Sequence, residues 1–224
     1  MIRRIAPYSL RGFLYYQGEE DVQRYADYSD MMQMLVKQWR MDWNDWNLPF
    51  LFVQLPMYLA DGEKDDSYWA LQREQQYIAS MMIQNAGMIS LADCGEYDNI
   101  HPLDKKTPGE RLFQLAKNLV YDKQGTITAT AAQLFSDNGK LYVTFDHLHE
   151  KLVMQTANGC PFEISGEDNL FYPAKADVIH GNMLCISNPA VKFPSAVKYA
   201  WYNFGEAALF TESGNPVSPF FKCV

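Results

Sequence analysis

The 224 residues hold no Cys-x-x-Cys pair, no run of Lys and Arg longer than two, and no apolar stretch that approaches a bilayer's width. Each absence removes a class of function. The four cysteines, Cys94, Cys160, Cys185 and Cys223, are far apart and lack zinc-ligand spacing. They read as free, buried thiols, with a disulfide left open for an oxidising compartment. The longest basic runs are Arg3-Arg4 and Lys105-Lys106, and the net charge is −8. A nucleic-acid backbone is therefore excluded as partner, because such binding depends on clustered cations. A membrane span is not expected either, since it needs about 20 apolar residues in a row. The opening MIRRIAPYSLRGF is basic but has no apolar core, so it does not read as a signal peptide. The compartment is not legible from it. Internal repeats and low-complexity tracts are also missing.

What is present describes a globular chain, 48% hydrophobic and 14% aromatic. Before residue 125, short apolar runs alternate with helical patterns. Phe13–Tyr16, Phe50–Leu55 and Gly87–Leu91 read as buried strands. Tyr25, Tyr28, Met32, Leu35, Val36, Trp39 and Trp43 recur at helical spacing behind Asp21 as a cap. Trp69, Leu71, Ile78, Met81 and Met82 predict the apolar face of a second helix. Thr107-Pro108-Gly109-Glu110 reads as a capping box that opens a third, carrying Leu112, Leu115 and Leu119. This alternation predicts an α/β fold whose parallel sheet is flanked by helices. After residue 125 the pattern becomes one of short strands, including Leu141–Phe145, Met183–Ile186 and Ala196–Trp201. Asp137-Asn138-Gly139, Asn158-Gly159, His180-Gly181-Asn182 and Ser213-Gly214-Asn215 punctuate them as turns. The expected organisation is an α/β domain over 1–124 and a small all-β domain over 125–224.

Ligands of open α/β sheets bind beyond the carboxyl ends of the strands. Two polar segments fall there, Gln17-Gly18-Glu19 after the first strand and Asp93–Pro102 after the third. His101 follows Asp98 by three residues, so the carboxylate can hold Nδ1–H while Nε2 serves as a general base. An exposed loop histidine fits the same spacing. Glu19 can act as a catalytic acid or merely favour the helix N-terminus it opens. Asp146-His147-Leu148-His149-Glu150 reads as a solvated loop more readily than as a metal site, and His180 as a turn residue. No serine stands in a Gly-Asp-Ser, Gly-Gln-Ser or Gly-x-Ser-x-Gly context after a strand.

Taken in order, these stretches resemble the sialate O-acetylesterase family of the SGNH-hydrolase superfamily. Its W-Y-Q-G-E-S-N pattern is similar to Tyr15-Tyr16-Gln17-Gly18-Glu19-Glu20-Asp21, and its F-V-Q-L strand to Phe52-Val53-Gln54-Leu55. Its R-E-x-Q matches Arg73-Glu74-Gln75-Gln76. Its D-x-G-E, D-I-H-P and G-E-R-L match Asp93-Cys94-Gly95-Glu96, Asp98-Asn99-Ile100-His101-Pro102 and Gly109-Glu110-Arg111-Leu112. Its late A-V-R-Y-A-W and S-P-F resemble Ala196–Trp201 and Ser218-Pro219-Phe220.

The resemblance implies a partial, flavodoxin-like SGNH sheet and a carbohydrate O-acetylesterase working by two-step acyl transfer without a cofactor. It implies His101 as base, Asp98 or Glu19 as its acid partner, and Gln17 and Gly18 as lining for an O-acetylated sugar such as sialic acid. A periplasmic or secreted location is implied as well. Glu20 and Asp21 replace the family's Ser and Asn, a change that disfavours an anionic sugar. The family's G-Q-S-N nucleophile block lies well upstream of Q-G-E, so the serine is expected outside this chain. A complementing N-terminal segment, or self-association, would then cover the sheet. A non-catalytic carbohydrate-binding or interaction remnant stands as the alternative.

Overall fold

The computed structural model describes residues 2–6 and 8–224. Met1 and Pro7, both within the basic opening read above, lie outside the described residues. Strands β1 (Phe13–Tyr15), β2 (Phe50–Gln54) and β3 (Ala86–Ser90) form a parallel sheet in the order β1-β2-β3. Helices α1 (Tyr28–Asp42), α2 (Tyr68–Met82) and α3 (Lys106–Leu119) connect and follow them. β2 is buried at all five positions because both its faces are covered. Phe50 and Phe52 pack with Tyr28, Met32 and Val36 of α1 and Ala79 of α2. Leu51 and Val53 point the other way, onto Leu112 and Leu115 of α3.

Several local expectations change. Asp21 does not cap α1: a 3-10 helix over Glu19–Asp27 precedes it, and the Asp21 carboxylate accepts instead from Gln17 Nε2 at 2.6 Å and Arg24 at 3.3 Å. The helix α3 starts one residue before Thr107, and Asp104 caps it by accepting from the N–H groups of Lys106 (2.9 Å) and Thr107 (3.0 Å). The greatest change concerns α2. Met81 and Met82 face solvent, each 62% exposed, while Trp69, Ala70, Gln72, Arg73, Gln76 and Ala79 form the buried stripe. Hydrophobicity misplaced that face because three of its six members are polar. The thiols are free but not buried: Cys160 and Cys223 are exposed, Cys94 and Cys185 half-buried.

The antiparallel region begins with β4 (Thr130–Asp137) and β5 (Lys140–Asp146), followed by β6 (Leu152–Met154), β7 (Phe162–Ser165) and β8 (Tyr172–Pro173). Then come β9 (Lys175–Ile179), β10 (Met183–Ser187), β11 (Ala196–Tyr199), β12 (Leu209–Thr211) and β13 (Phe220–Cys223). They form sheets β4-β5-β10-β9 and β13-β11-β7-β8 and the pair β12-β6. The β4–β5 turn is Asn138-Gly139, whose φ values of 47° and 74° suit a two-residue hairpin. His180 and Gly181 turn β9 into β10 with φ of 53° and 76°. Leu141, Val143, Phe162, Ile164, Leu184, Ile186, Val197 and Tyr199 meet in one core. That core also takes in Met57 and Ala92, which follow β2 and β3.

The two regions are joined by buried polar contacts as well. Gln54 exchanges hydrogen bonds with the Ser218 hydroxyl at 2.8 and 3.0 Å. Arg73 donates to the carbonyl of Tyr202 and, at 3.5 Å, to that of Pro56. Burial pulls this guanidinium down to about 10. Asn203 accepts from the N–H of Trp69 (3.0 Å) and donates to Asp66 (2.8 Å), while its carbonyl accepts from the N–H of Tyr58 (2.8 Å).

Candidate active site

The polar segments read from the sequence leave the sheet at its carboxyl end. At Gly18 the backbone has φ of 144°, and an added Cβ would stand 3.0 Å from Gln76 Nε2 and 3.2 Å from Gln72 Nε2. The positive φ favours glycine here, and a side chain would also press on both carboxamides. The preceding Gln17 is held from all sides. Its Oε1 accepts from the hydroxyl of Tyr15 (3.1 Å), its carbonyl from Tyr28 (3.1 Å) and Gln76 (3.3 Å). Gln76 also accepts from the N–H of Leu55 at 2.8 Å, which ties the end of β2 to the Gln17 loop. Between them Gln72 is fully buried, with a carboxamide that finds no hydrogen-bond partner among the described residues. Glu19 opens the 3-10 helix half-buried. Burial first, and the Glu19 carboxylate second, push the Tyr16 phenol up to about 12.

The loop after β3 is braced at each corner. Asp93 forms a two-pronged ion pair with Arg111, both contacts at 2.7 Å, and Arg111 reaches back to the Ser90 carbonyl at 3.0 Å. A Cβ on Gly95 would fall 2.1 Å from the carbonyl oxygen of Met57, so this residue sets how close the loop comes to the end of β2. Glu96 accepts from Asn99 Nδ2 and from the N–H of Leu103, each at 2.7 Å. Ile100 packs into a cluster with Val22, Leu55, Trp69, Tyr16 and Tyr58. Tyr16, next to Gln17, packs against the same three buried side chains as Ile100, next to His101.

The Asp98 carboxylate accepts from the N–H of Asp61 at 2.9 Å, and no hydrogen bond joins it to His101. His101 is exposed, and its own N–H donates to Asn99 Oδ1 at 3.2 Å. At Cys94, four residues past β3, burial and the adjacent Asp93 push the thiol up to about 12, which disfavours the reactive thiolate. No cluster of three or more metal-ligating side chains occurs among the described residues, and His147 and His149 are exposed on a loop. The sequence reading missed the Asp93–Arg111 brace and the Arg73–Gln76 anchors. Both lie inside motifs already noted, D-C-G-E, G-E-R-L and R-E-Q-Q, where an unpaired charge on an inward helical face was the available signal.

A parallel sheet with helices on both faces, followed by antiparallel sheets and carrying its polar loops at the strand ends, is the fold of an SGNH-like carbohydrate esterase. The family model for carbohydrate esterase, sialic acid-specific acetylesterase, matches residues 1–119, and the chain belongs to that family. It is 26% identical over 98% of its length to a mouse sialate O-acetylesterase, covering 46% of it. To the human sialate O-acetylesterase it is 25% identical over 74% of its length, covering 35% of that protein. The crystal structure of a carbohydrate acetylesterase from Xanthomonas citri superposes with a TM-score of 0.89 at 32% identity, over 97% of this chain and 51% of that one. The chain thus spans about half the length of these relatives or less. No helix among the described residues is long and apolar enough to cross a membrane.

Proposed function

We propose that the chain forms the histidine-bearing part of a carbohydrate O-acetylesterase that removes acetyl groups from sugar hydroxyls. His101 is the general base, Asp98 or Glu19 the supporting carboxylate, and Gln17 and Gly18 line the site. The observation that supports this reading is that Ile100 and Tyr16, the chain neighbours of His101 and Gln17, pack against the same cluster of Val22, Leu55 and Trp69 past the carboxyl end of the sheet. A serine in a segment outside these 224 residues attacks the acetyl carbonyl, His101 takes its proton, and water later clears the acetyl-enzyme.

An edge strand supports the need for such a segment. β1 pairs only with β2 among the described strands, and Leu14 on it is 64% exposed. Apolar grooves flank it, one lined by Tyr28, Met31 and Met32, the other by Leu10, Leu51 and Val120. An open edge between two apolar grooves accepts a further strand. The occupant proposed is the half of the relatives' length that this chain does not cover.

The test is hydrolysis of p-nitrophenyl acetate by the chain alone, and by the chain mixed with the uncovered half of the Xanthomonas citri protein. The chain alone is expected to show no turnover above a His101→Ala control, since loss of a triad nucleophile costs on the order of 10⁶-fold. The mixture is expected to gain turnover that His101→Ala removes. Turnover by the chain alone that His101→Ala abolishes would place the nucleophile within these residues. A dimer seen by light scattering, with the β1 amides protected, would replace the complementing segment by a second copy.

A further inference from the structure

The charge of this protein is unevenly placed. The connections that follow the three parallel strands, residues 17–27, 56–67 and 93–105, hold twelve of the 27 carboxylates and three of the 19 cations, Arg24, Lys64 and Lys105. The remaining 188 residues hold fifteen carboxylates and sixteen cations, so they are close to neutral. The excess of acid is therefore confined to the end of the sheet where His101 opens to solvent.

Many of these carboxylates are fixed in place. Asp98 is bound to the N–H of Asp61, and Asp61 accepts from the Tyr97 hydroxyl at 3.0 Å. Asp65 and Asp66 accept from Asn203 at 2.8 Å each. Glu96 holds its own loop through Asn99 and Leu103. Compensation is slight: Asp93 is matched by Arg111 and Asp21 by Arg24, while the Lys105 ammonium lies over the Tyr16 ring at 5.1 Å. Glu20 and Glu63 are exposed, and neither carboxylate is engaged by a hydrogen bond or ion pair among the described residues.

We propose that these three loops select an uncharged O-acetylated sugar and disfavour a sialic acid, whose carboxylate is ionised at neutral pH. The proposal rests on the reading of this end of the sheet as the sugar-binding site. Its physical basis is that fixed carboxylates within about 8–10 Å of a bound anion act on it without full screening at physiological ionic strength. Because they are tied to backbone N–H groups and to Asn203, they cannot swing away to relieve the repulsion. Aromatic surface for a neutral ring is available in the same place. Tyr97 is half exposed, and its ring meets Phe204 edge-on with centroids 5.6 Å apart.

The experiment compares two ligands that differ by one charge, the α-methyl glycoside of N-acetylneuraminic acid and its carboxylate methyl ester. Binding of each to the full chain is followed by ligand-observed NMR at low salt and at high salt. In parallel, an anionic and a neutral nitroxide of similar size report how often each reaches the backbone amides of the three loops. The methyl ester is expected to bind about tenfold tighter than the acid at low salt, with the gap closing as salt is added. The anionic nitroxide is expected to relax the loop amides severalfold less than the neutral one, and Glu20→Lys with Glu63→Lys to reduce both differences. Equal relaxation by the two nitroxides, or an acid that binds as tightly as its ester, overturns the proposal. If the nitroxides differ while neither sugar is held, the charge filter stands and the reading of this end as a sugar site in the isolated chain fails.

Discussion

The α/β region and the antiparallel region bury their interiors by different means. On β2 and α2 the buried positions include Gln54, Gln72, Arg73 and Gln76, all at or below 1% exposure. In the antiparallel region, β5, β7 and β10 bury Leu141, Val143, Phe162, Ile164, Leu184 and Ile186, with Ser165 as the polar exception. An apolar core is held by area and packing, which act in every direction. A polar interior is held by hydrogen bonds that fix particular distances between named groups. The polar group of residues lies where position matters most, under the Gln17 loop and against the Tyr202–Asn203 turn. The antiparallel region then serves as a brace, because Asn203 and Ser218 reach from it into the end of the sheet.

The largest effect tests the apolar side of this contrast. Ile164→Ala, in a strand flanked on both sides, is expected to cost about 2–5 kcal/mol in denaturant unfolding, since a fully buried side chain leaves a cavity. A loss under 1 kcal/mol would show that this core is not what holds the region.

The polar side predicts a smaller but more local loss. Gln76→Leu keeps the volume and removes both bonds, leaving the buried N–H of Leu55 unpaired and the carbonyl of Gln17 with Tyr28 alone, at a cost of about 1–3 kcal/mol. Amide exchange is expected to quicken at Leu55 and in the Gln17 loop while the antiparallel strands stay protected. Uniform acceleration across the chain would erase the distinction between the regions.

Cys94 sharpens the comparison through pH. Its thiol is pushed from 9.0 to about 12 in the folded chain, mostly by burial. Above pH 9.0 the unfolded chain holds fewer protons than the folded one, so stability falls as pH rises from there toward 12. Labelling with iodoacetamide at pH 8 is expected to modify exposed Cys160 and Cys223 well before Cys94. Equal rates at Cys94 and Cys223 would contradict the shift. The smallest effect is Met81→Lys, expected within about 0.5 kcal/mol of the parent because this residue faces solvent. A loss of several kcal/mol would restore Met81 to the core.

The order of strands and helices, the turns at Asn138-Gly139 and His180-Gly181, and the family motifs were legible because each depends on neighbours in the chain. Period-2 and period-3.6 patterns and positive-φ turn residues are local signals. Which face of α2 is buried was not legible, since Gln72, Arg73 and Gln76 become interior only when β2, the Gln17 loop and the Tyr202 turn supply their surroundings. The cap of α3 likewise passed from Thr107 to Asp104 once the loop's path was fixed. The residues 98–101 were placed by sequence at a strand end, but only tertiary structure bound Asp98 to Asp61 and packed Ile100 against Val22, Leu55 and Trp69. The sequence by itself determined which elements form and what chemistry they carry. The tertiary structure decided which polar groups are enclosed and where each one points, because burial and hydrogen-bond partners are set by segments far apart in the chain.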